Sequence, residues 1–220
     1  MAPNFPKELY RKEALDKFLQ LCDKRVYPAK ANIFKPGDNG DKLYFIIEGS
    51  VSVCAEDAEG KQELMLAYLN KNDFIGEVGI FNVSNEIRQV TVRTRTECYL
   101  AEISYVDFRQ ALKRELLEYA PDLLFLVGCQ LSERLLITSR KFSDLAFMDV
   151  EGRIARILLD LCKEPDAITH PDGMQLRISR QEIGRLVGCS REMAGRVIKE
   201  LENKKLISAH GKTIVVFGTR

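Results

Sequence analysis

Between residues 26 and 103 the apolar positions come in short β-rich runs, "KLYFIIEG", "SVSVCAED", "ELMLAYL", "RQVTVRT" and "ECYLAEI", separated by Gly, Asp and Asn. Short runs at regular spacing predict a β-sandwich or small barrel, here a jelly roll. "AEDAEGKQ" reads as a hairpin turn between two of them. From residue 104 the period changes. Ser104 as N-cap opens a helix over 104–115, and a longer helix is predicted over about 119–144 with Pro121 in its first turn. Along it Leu124, Val127, Leu131, Leu135, Thr138, Phe142 and Leu145 recur at spacings of three and four. That is the narrow seam of a coiled coil, which calls for a partner helix, most simply a second copy of itself. A helix packed on its own domain is the other reading of so short a seam. Beyond it, "FSDLAFMDVEG" predicts a hinge at Gly152, followed by a helix "RIARILLDLCKE", a Pro-bounded loop "PDAITHPDGMQ" and a terminal hairpin "ISAHGKTIVVF".

The segment "ISRQEIGRLVGCSREMAGRVIKELENKKLI" divides at "VGCS". A helix starting at Ser179, a tight turn at Gly188 and a second helix capped by Ser190 make a helix-turn-helix spacing. Ile183, Leu186 and Val187 can pack on Val197, Ile198 and Leu201, which leaves Arg191, Glu192, Arg196 and Lys199 outward. Arginines at the start of such a helix can donate two hydrogen bonds to guanine, and a carboxylate there can accept from cytosine. Charge supports a polyanionic partner at this end. The chain carries a net charge of +1, but residues 177–212 hold nine Lys or Arg against four Asp or Glu, a local +5.

Composition excludes more than it selects. At 220 residues and 45% hydrophobic content the chain can bury the cores of two domains. No apolar run is long enough to span a bilayer and "MAPNFPKELYRKEALDKF" lacks a signal-peptide core, so a cytoplasmic protein without membrane contact is expected. Six scattered cysteines, with His170 and His210 as the two histidines, predict reduced and mostly buried thiols, no disulfide framework and no metal. No Ser-His-Asp set and no phosphate loop of the G-x-x-x-x-G-K type is present, so an enzyme is a remote alternative and no catalytic residue is expected. A redox sensor would want a cysteine cluster near the N-terminus, where Cys22 stands alone.

"RQEIGRLVGCSRE", "THPDGMQ", "LAFMDVEGRIA" and the terminal "HGKTIVVFGTR" resemble the cyclic AMP receptor protein family, also called the catabolite activator family, over nearly the whole chain. The resemblance implies an α+β protein in three parts. Residues 1–118 would form a cyclic-nucleotide-binding double-stranded β-helix with flanking helices, 119–145 a long dimerisation helix and hinge, and 146–220 a winged helix-turn-helix. It implies a homodimeric regulator in which Arg191, Glu192 and Arg196 read the bases of a palindromic TGTGA-type site. Arg180, Gln181, Ser190 and His210 would then meet phosphates, and Thr169, His170 and Gly173 would touch RNA polymerase. A second polymerase-contacting patch, basic in the family, is interrupted here by Asp23 and Asp107, while Arg25 keeps its charge.

For the effector, "DFIGEVGIFNVSNEIRQVTVRTRTE" places Gly76 and Glu77 ahead of Arg88. Backbone amides and a guanidinium there can hold a cyclic phosphate and the carboxylate can accept a ribose hydroxyl, although a surface turn with an ion pair would read the same way. The resemblance adds Arg134, Thr138 and Ser139 from the long helix, with cyclic AMP as activating ligand. Two departures stand out: Gln89 replaces the family's phosphate-binding serine, and the loop "NVSNEI" is one residue longer. "RQVTVRTRTECYLAEISY", "APDLLFLVGCQLSERLL" and "SREMAGRVIK" resemble the Clp branch, which also lacks that serine and whose DNA binding is inhibited by cyclic di-GMP.

Overall fold

A computed structural model describes residues 12–57, 63–82 and 87–219. The turn expected within "AEDAEGKQ" and most of the loop "NVSNEI" lie outside them. The first part of the chain runs α1 (Lys12–Gln20), β1 (Asp23–Tyr27), β2 (Asn32–Phe34), β3 (Lys42–Glu48), β4 (Val51–Glu56), β5 (Glu63–Leu69), β6 (Phe74–Ile75), α2 (Val78–Phe81), β7 (Thr91–Thr94), β8 (Cys98–Ser104) and α3 (Tyr105–Ala111). The strands form two four-stranded sheets, in the orders β1-β8-β3-β6 and β2-β7-β4-β5, the double-sheet roll expected.

Strand β3 shows why its sequence reads as a continuous apolar run. Side chains alternate between the faces of a strand. Tyr44 and Ile46 enter a core between the sheets with Phe34, Val51, Leu69, Val92 and Leu100. Leu43 and Phe45 point the other way, into a second core with Phe18 of α1, Phe74 and Phe108. Four edge-on contacts link these phenylalanines, with Phe45 and Phe74 5.0 Å apart.

The long helix α4 (Ala120–Phe147) closes that second core with Leu123, Leu126 and Val127. The expected seam is thereby corrected at Val127, which is fully buried in that core and not free for a partner, while Leu131 is half-buried against it. Farther along, apolar residues are exposed, Leu135 67%, Leu136 68% and Phe142 73%.

The rest of the chain comprises α5 (Val150–Leu161), β9 (Ile168–His170), β10 (Gly173–Arg177), α6 (Arg180–Val187), α7 (Arg191–Asn203), β11 (Ile207–His210) and β12 (Thr213–Phe217). Gly152 is no hinge. It lies in the first turn of α5, where its amide donates to the N-cap side chain of Asp149 at 2.8 Å. The predicted loop 165–175 is also corrected, because β9 and β10 pair antiparallel and complete a sheet in the order β11-β12-β10-β9. Three residues were too few to show a period. Residues up to 137, apart from a short stretch around β5, form one compact unit and those from Thr138 onward the other.

Candidate nucleotide cradle and nucleic-acid interface

In the β-roll, Arg88 is the centre of the predicted effector site, and it is turned inward. Its own backbone is pinned by two bonds across to the 37–38 turn, Arg88 N to the Asp38 carbonyl and Gly37 N to the Arg88 carbonyl. The side chain is buried; Nη1 donates to the Tyr105 hydroxyl at 2.9 Å and Nη2 to the Lys42 carbonyl at 2.5 Å. The guanidinium stacks on the Phe34 ring at 4.2 Å. Its Nε has no partner, and among the described residues no carboxylate pairs with it. Burial pushes the Tyr105 phenol up, opposed by the neighbouring guanidinium.

Gly76 fits this arrangement because it has no side chain. Its φ is +84°, and an added Cβ would stand 2.7 Å from Arg88 Nη1 and 2.9 Å from the Lys42 carbonyl. The Tyr105 hydroxyl donates to the Gly76 carbonyl, so one phenol bridges glycine and arginine. Gly79 lies under the same ring, which leaves no room for a Cβ there either.

Glu77 is buried and paired with Arg134 of α4, so one of its oxygens is engaged inside the chain rather than open to a ribose. Arg134 also donates to the Phe74 carbonyl at 2.7 Å. Gln89 is exposed, its amide nitrogen 3.4 Å from the Ile87 carbonyl. Thr138 and Ser139 stand exposed on α4, one turn beyond Arg134. Sequence reasoning missed Tyr105, Phe34 and the Lys42 carbonyl. None carries a local signature, since each arrives from a different strand or helix.

The helix-turn-helix is built as its spacing predicts. Ser179 and Ser190 cap α6 and α7, accepting from Glu182 N at 3.2 Å and Met193 N at 3.1 Å. Gly188 takes the left-handed conformation between them, φ +70°. Ile183, Leu186 and Val187 of α6 and Val197, Ile198 and Leu201 of α7 are all buried. A close approach unseen in the sequence is Gly184, where an added Cβ would lie 2.6 Å from the Cys189 carbonyl. Outside, Arg191, Glu192, Arg196 and Lys199 are exposed, and neither arginine has an ion-pair or hydrogen-bond partner among the described residues. Gln181, Ser190 and His210 are exposed too, while Arg180 is half-buried and donates to the Gly211 carbonyl in the β11–β12 turn.

Of the residues expected to face polymerase, Thr169 is exposed and His170 half-exposed, its Nδ1 accepting from Asp172 N at 3.2 Å. Gly173 is buried against the Val216 carbonyl with no space for a side chain. All six cysteines are free, but only Cys54 and Cys98 are buried and the other four are half-exposed. That departs from the expectation of mostly buried thiols. Among the described residues no cluster of His, Cys, Asp and Glu is arranged to hold a metal ion, and no helix is long and apolar enough to cross a membrane.

Comparison with known proteins places both sites in one context. Residues 24–115 match the model of the cyclic nucleotide-binding domain, and residues 176–207 that of the bacterial regulatory proteins of the crp family. The chain is 53% identical over 206 residues, 94% of its length and 95% of the relative's, to the cAMP-activated global transcriptional regulator CRP of Escherichia coli. It is 51% identical to the CRP-like protein Clp of Xanthomonas euvesicatoria, over 94% of this chain and 89% of the other. Among solved structures, the c-di-GMP responsive global regulator CLP of Xanthomonas campestris superposes with a TM-score of 0.90 at 50% identity, covering 95% of this chain and 100% of that one.

Proposed function

Since the chain belongs to the crp family of bacterial regulatory proteins and carries its cyclic nucleotide-binding domain, we propose that it is a homodimeric, sequence-specific regulator of transcription in the cytoplasm. A cyclic nucleotide in the β-roll controls its hold on DNA, with cyclic AMP as activating ligand. The observation that carries this reading is Arg88, a buried guanidinium that has no carboxylate partner and an unsatisfied Nε among the described residues. A buried cation left uncompensated is costly, and a cyclic phosphate supplies one negative charge and the missing acceptors. Gly76 supports it by letting backbone come close to that charge.

On the DNA side, the unpaired Arg191 and Arg196 with Glu192 read bases of a TGTGA-type palindrome, and Arg180, Gln181, Ser190 and His210 meet phosphates. The exposed apolar residues of α4 supply the dimer contact, and Thr169 and His170 offer a polar surface to RNA polymerase. No residue is assigned a catalytic role. A second reading, DNA binding without ligand and inhibition by cyclic di-GMP, is favoured by Gln89, an exposed amide beside Arg88 where the serine hydroxyl would be. The likeness to the c-di-GMP responsive CLP supports it as well.

Calorimetry with both nucleotides, paired with DNA titrations on palindromic and random duplex, separates the readings. Cyclic AMP should bind and raise affinity for the palindrome. Arg88→Leu should weaken that binding by about 10- to 150-fold, the worth of a charge-assisted bond, and Gln89→Ser should strengthen it. Binding of cyclic di-GMP alone, with lowered DNA affinity, would establish the second reading. No preference for the palindrome over random duplex would overturn both.

A further inference from the structure

Strand β6 is two residues long and sits at the edge of its sheet, paired only with β3 through Tyr44↔Ile75 and Phe45↔Phe74. An edge strand leaves a row of peptide groups without a neighbouring strand. At Phe74 both groups are taken by one side chain of α4. Gln130 Oε1 accepts from Phe74 N at 2.7 Å and Gln130 Nε2 donates to Phe74 O at 2.9 Å. The amide thus acts as the peptide of a missing strand, and it is 2% exposed, with nothing from solvent to replace it. A primary amide carries its donor and its acceptor side by side on one planar group, as a peptide does, and is uncharged at neutral pH.

One turn on, Arg134 donates to the same Phe74 carbonyl and pairs with Glu77. Gly76 and Glu77 directly follow β6 in the chain, and the exposed Leu135 and Leu136 directly follow Arg134 on α4. Phe74 is therefore held in common by the strand that leads into the cradle and the helix that carries the apolar stripe.

We propose that Gln130 is the positioning residue that couples the nucleotide cradle to α4, transmitting a displacement of the Gly76–Glu77 backbone through the Phe74 peptide to the helix. Gln130 touches no ligand in this scheme. Its role is to keep helix and strand in one register, so that a ligand which binds one arrangement of the cradle better also selects one arrangement of α4. The inference rests on the proposed binding of a cyclic nucleotide at Arg88.

The test measures the coupling factor, the ratio of DNA dissociation constants without and with nucleotide, in the wild type, Gln130→Leu and Gln130→Glu. A coupling of about 5- to 150-fold is typical of allosteric proteins and is the range expected of the wild type. In Gln130→Leu it should fall to within about twofold of unity, while nucleotide affinity by calorimetry stays within about threefold. Gln130→Glu keeps the size and the acceptor but sets a carboxylate against the Phe74 carbonyl, and it should lose coupling too. It covers the case in which the leucine variant does not fold. Amide exchange adds a ligand-free readout: the Phe74 N–H should exchange faster in both variants. Coupling unchanged in a folded variant overturns the role of Gln130 and leaves the nucleotide reading standing. A wild type that binds neither nucleotide overturns that reading and this inference together.

Discussion

The helix-turn-helix and the nucleotide cradle both depend on arginines, in opposite settings. Arg191 and Arg196 stand in water on the first turns of α7, free of partners among the described residues, so their charge is solvated at no cost to the fold and is ready for any duplex that arrives. Arg88 lies inside the roll against Phe34 and Tyr105, with no carboxylate paired to it among the described residues. The first site is complete as folded, because a single segment builds it from two serine caps, one glycine turn and one apolar stripe. The second draws on Phe34, Lys42, Gly76, Arg88 and Tyr105, and in the proposed reading an anion balances its charge. If the proposed reading holds, one is constitutive and the other conditional, the division of labour a ligand-controlled regulator needs.

The strongest way to break the comparison is to separate the two DNA-reading helices of a dimer. Leu135→Asp with Phe142→Asp places two carboxylates in the exposed half of α4 without touching the buried Leu123, Leu126 and Val127. Sedimentation should show a monomer at micromolar concentration. Affinity for a full palindrome should fall by about 10²- to 10⁴-fold, the avidity lost when two half-sites are no longer bound together. Affinity for an isolated half-site should barely change. A persistent dimer, or undiminished palindrome binding, would show that the apolar stripe serves something else.

Next in size is the loss of an arginine proposed to read bases. Arg196→Ala removes an exposed, unpaired side chain, so stability should stay as it is. Binding to the palindrome should weaken by about 1–3 kcal/mol, with discrimination relaxed at one base pair, while binding to random duplex changes little. An equal loss on both duplexes would make Arg196 a phosphate contact.

What the sequence disclosed follows from the same contrast. The helix-turn-helix was legible residue by residue, since caps, turn glycine and the buried Ile183, Val197 and Leu201 all lie within one short continuous segment, residues 179–201. The roll was legible as a type, because strands of five to seven residues carry a β signature even when, as in β3, both faces are buried. The cradle was half legible. Gly76, Glu77 and Arg88 showed through the resemblance, but the ion pair that occupies Glu77 and the phenol that bridges Gly76 to Arg88 come from α4 and α3, and no spacing announces a contact across so much chain. The seam of α4 misled for a related reason. Periodicity locates an apolar stripe but not what covers it, and Val127 is covered by the chain's own core.

The smallest effect sharpens the comparison from the acidic side. Asp73 immediately precedes β6, is buried, and accepts the Asn70 amide at 2.7 Å. Burial pushes its carboxyl up to about 6, against the pull of that amide and of Arg134. The ordinary value is 3.8, so between about pH 4 and 6 the folded chain holds a proton that the unfolded chain has released. Stability therefore falls as pH rises through that window and levels off above it, the reverse of a carboxylate stabilised by a salt bridge. Asp73→Asn keeps an acceptor for the Asn70 amide and removes the charge. In urea unfolding it should be more stable than the wild type near pH 7.5 by on the order of 1 kcal/mol, below the roughly 3 kcal/mol that the full shift would give. The advantage should shrink towards zero below pH 4, where the wild-type carboxyl is protonated in both states. A gain that persists at low pH would mean that the amide stabilises the turn by some route other than charge, and that the strand leading into the cradle carries no ionisation penalty.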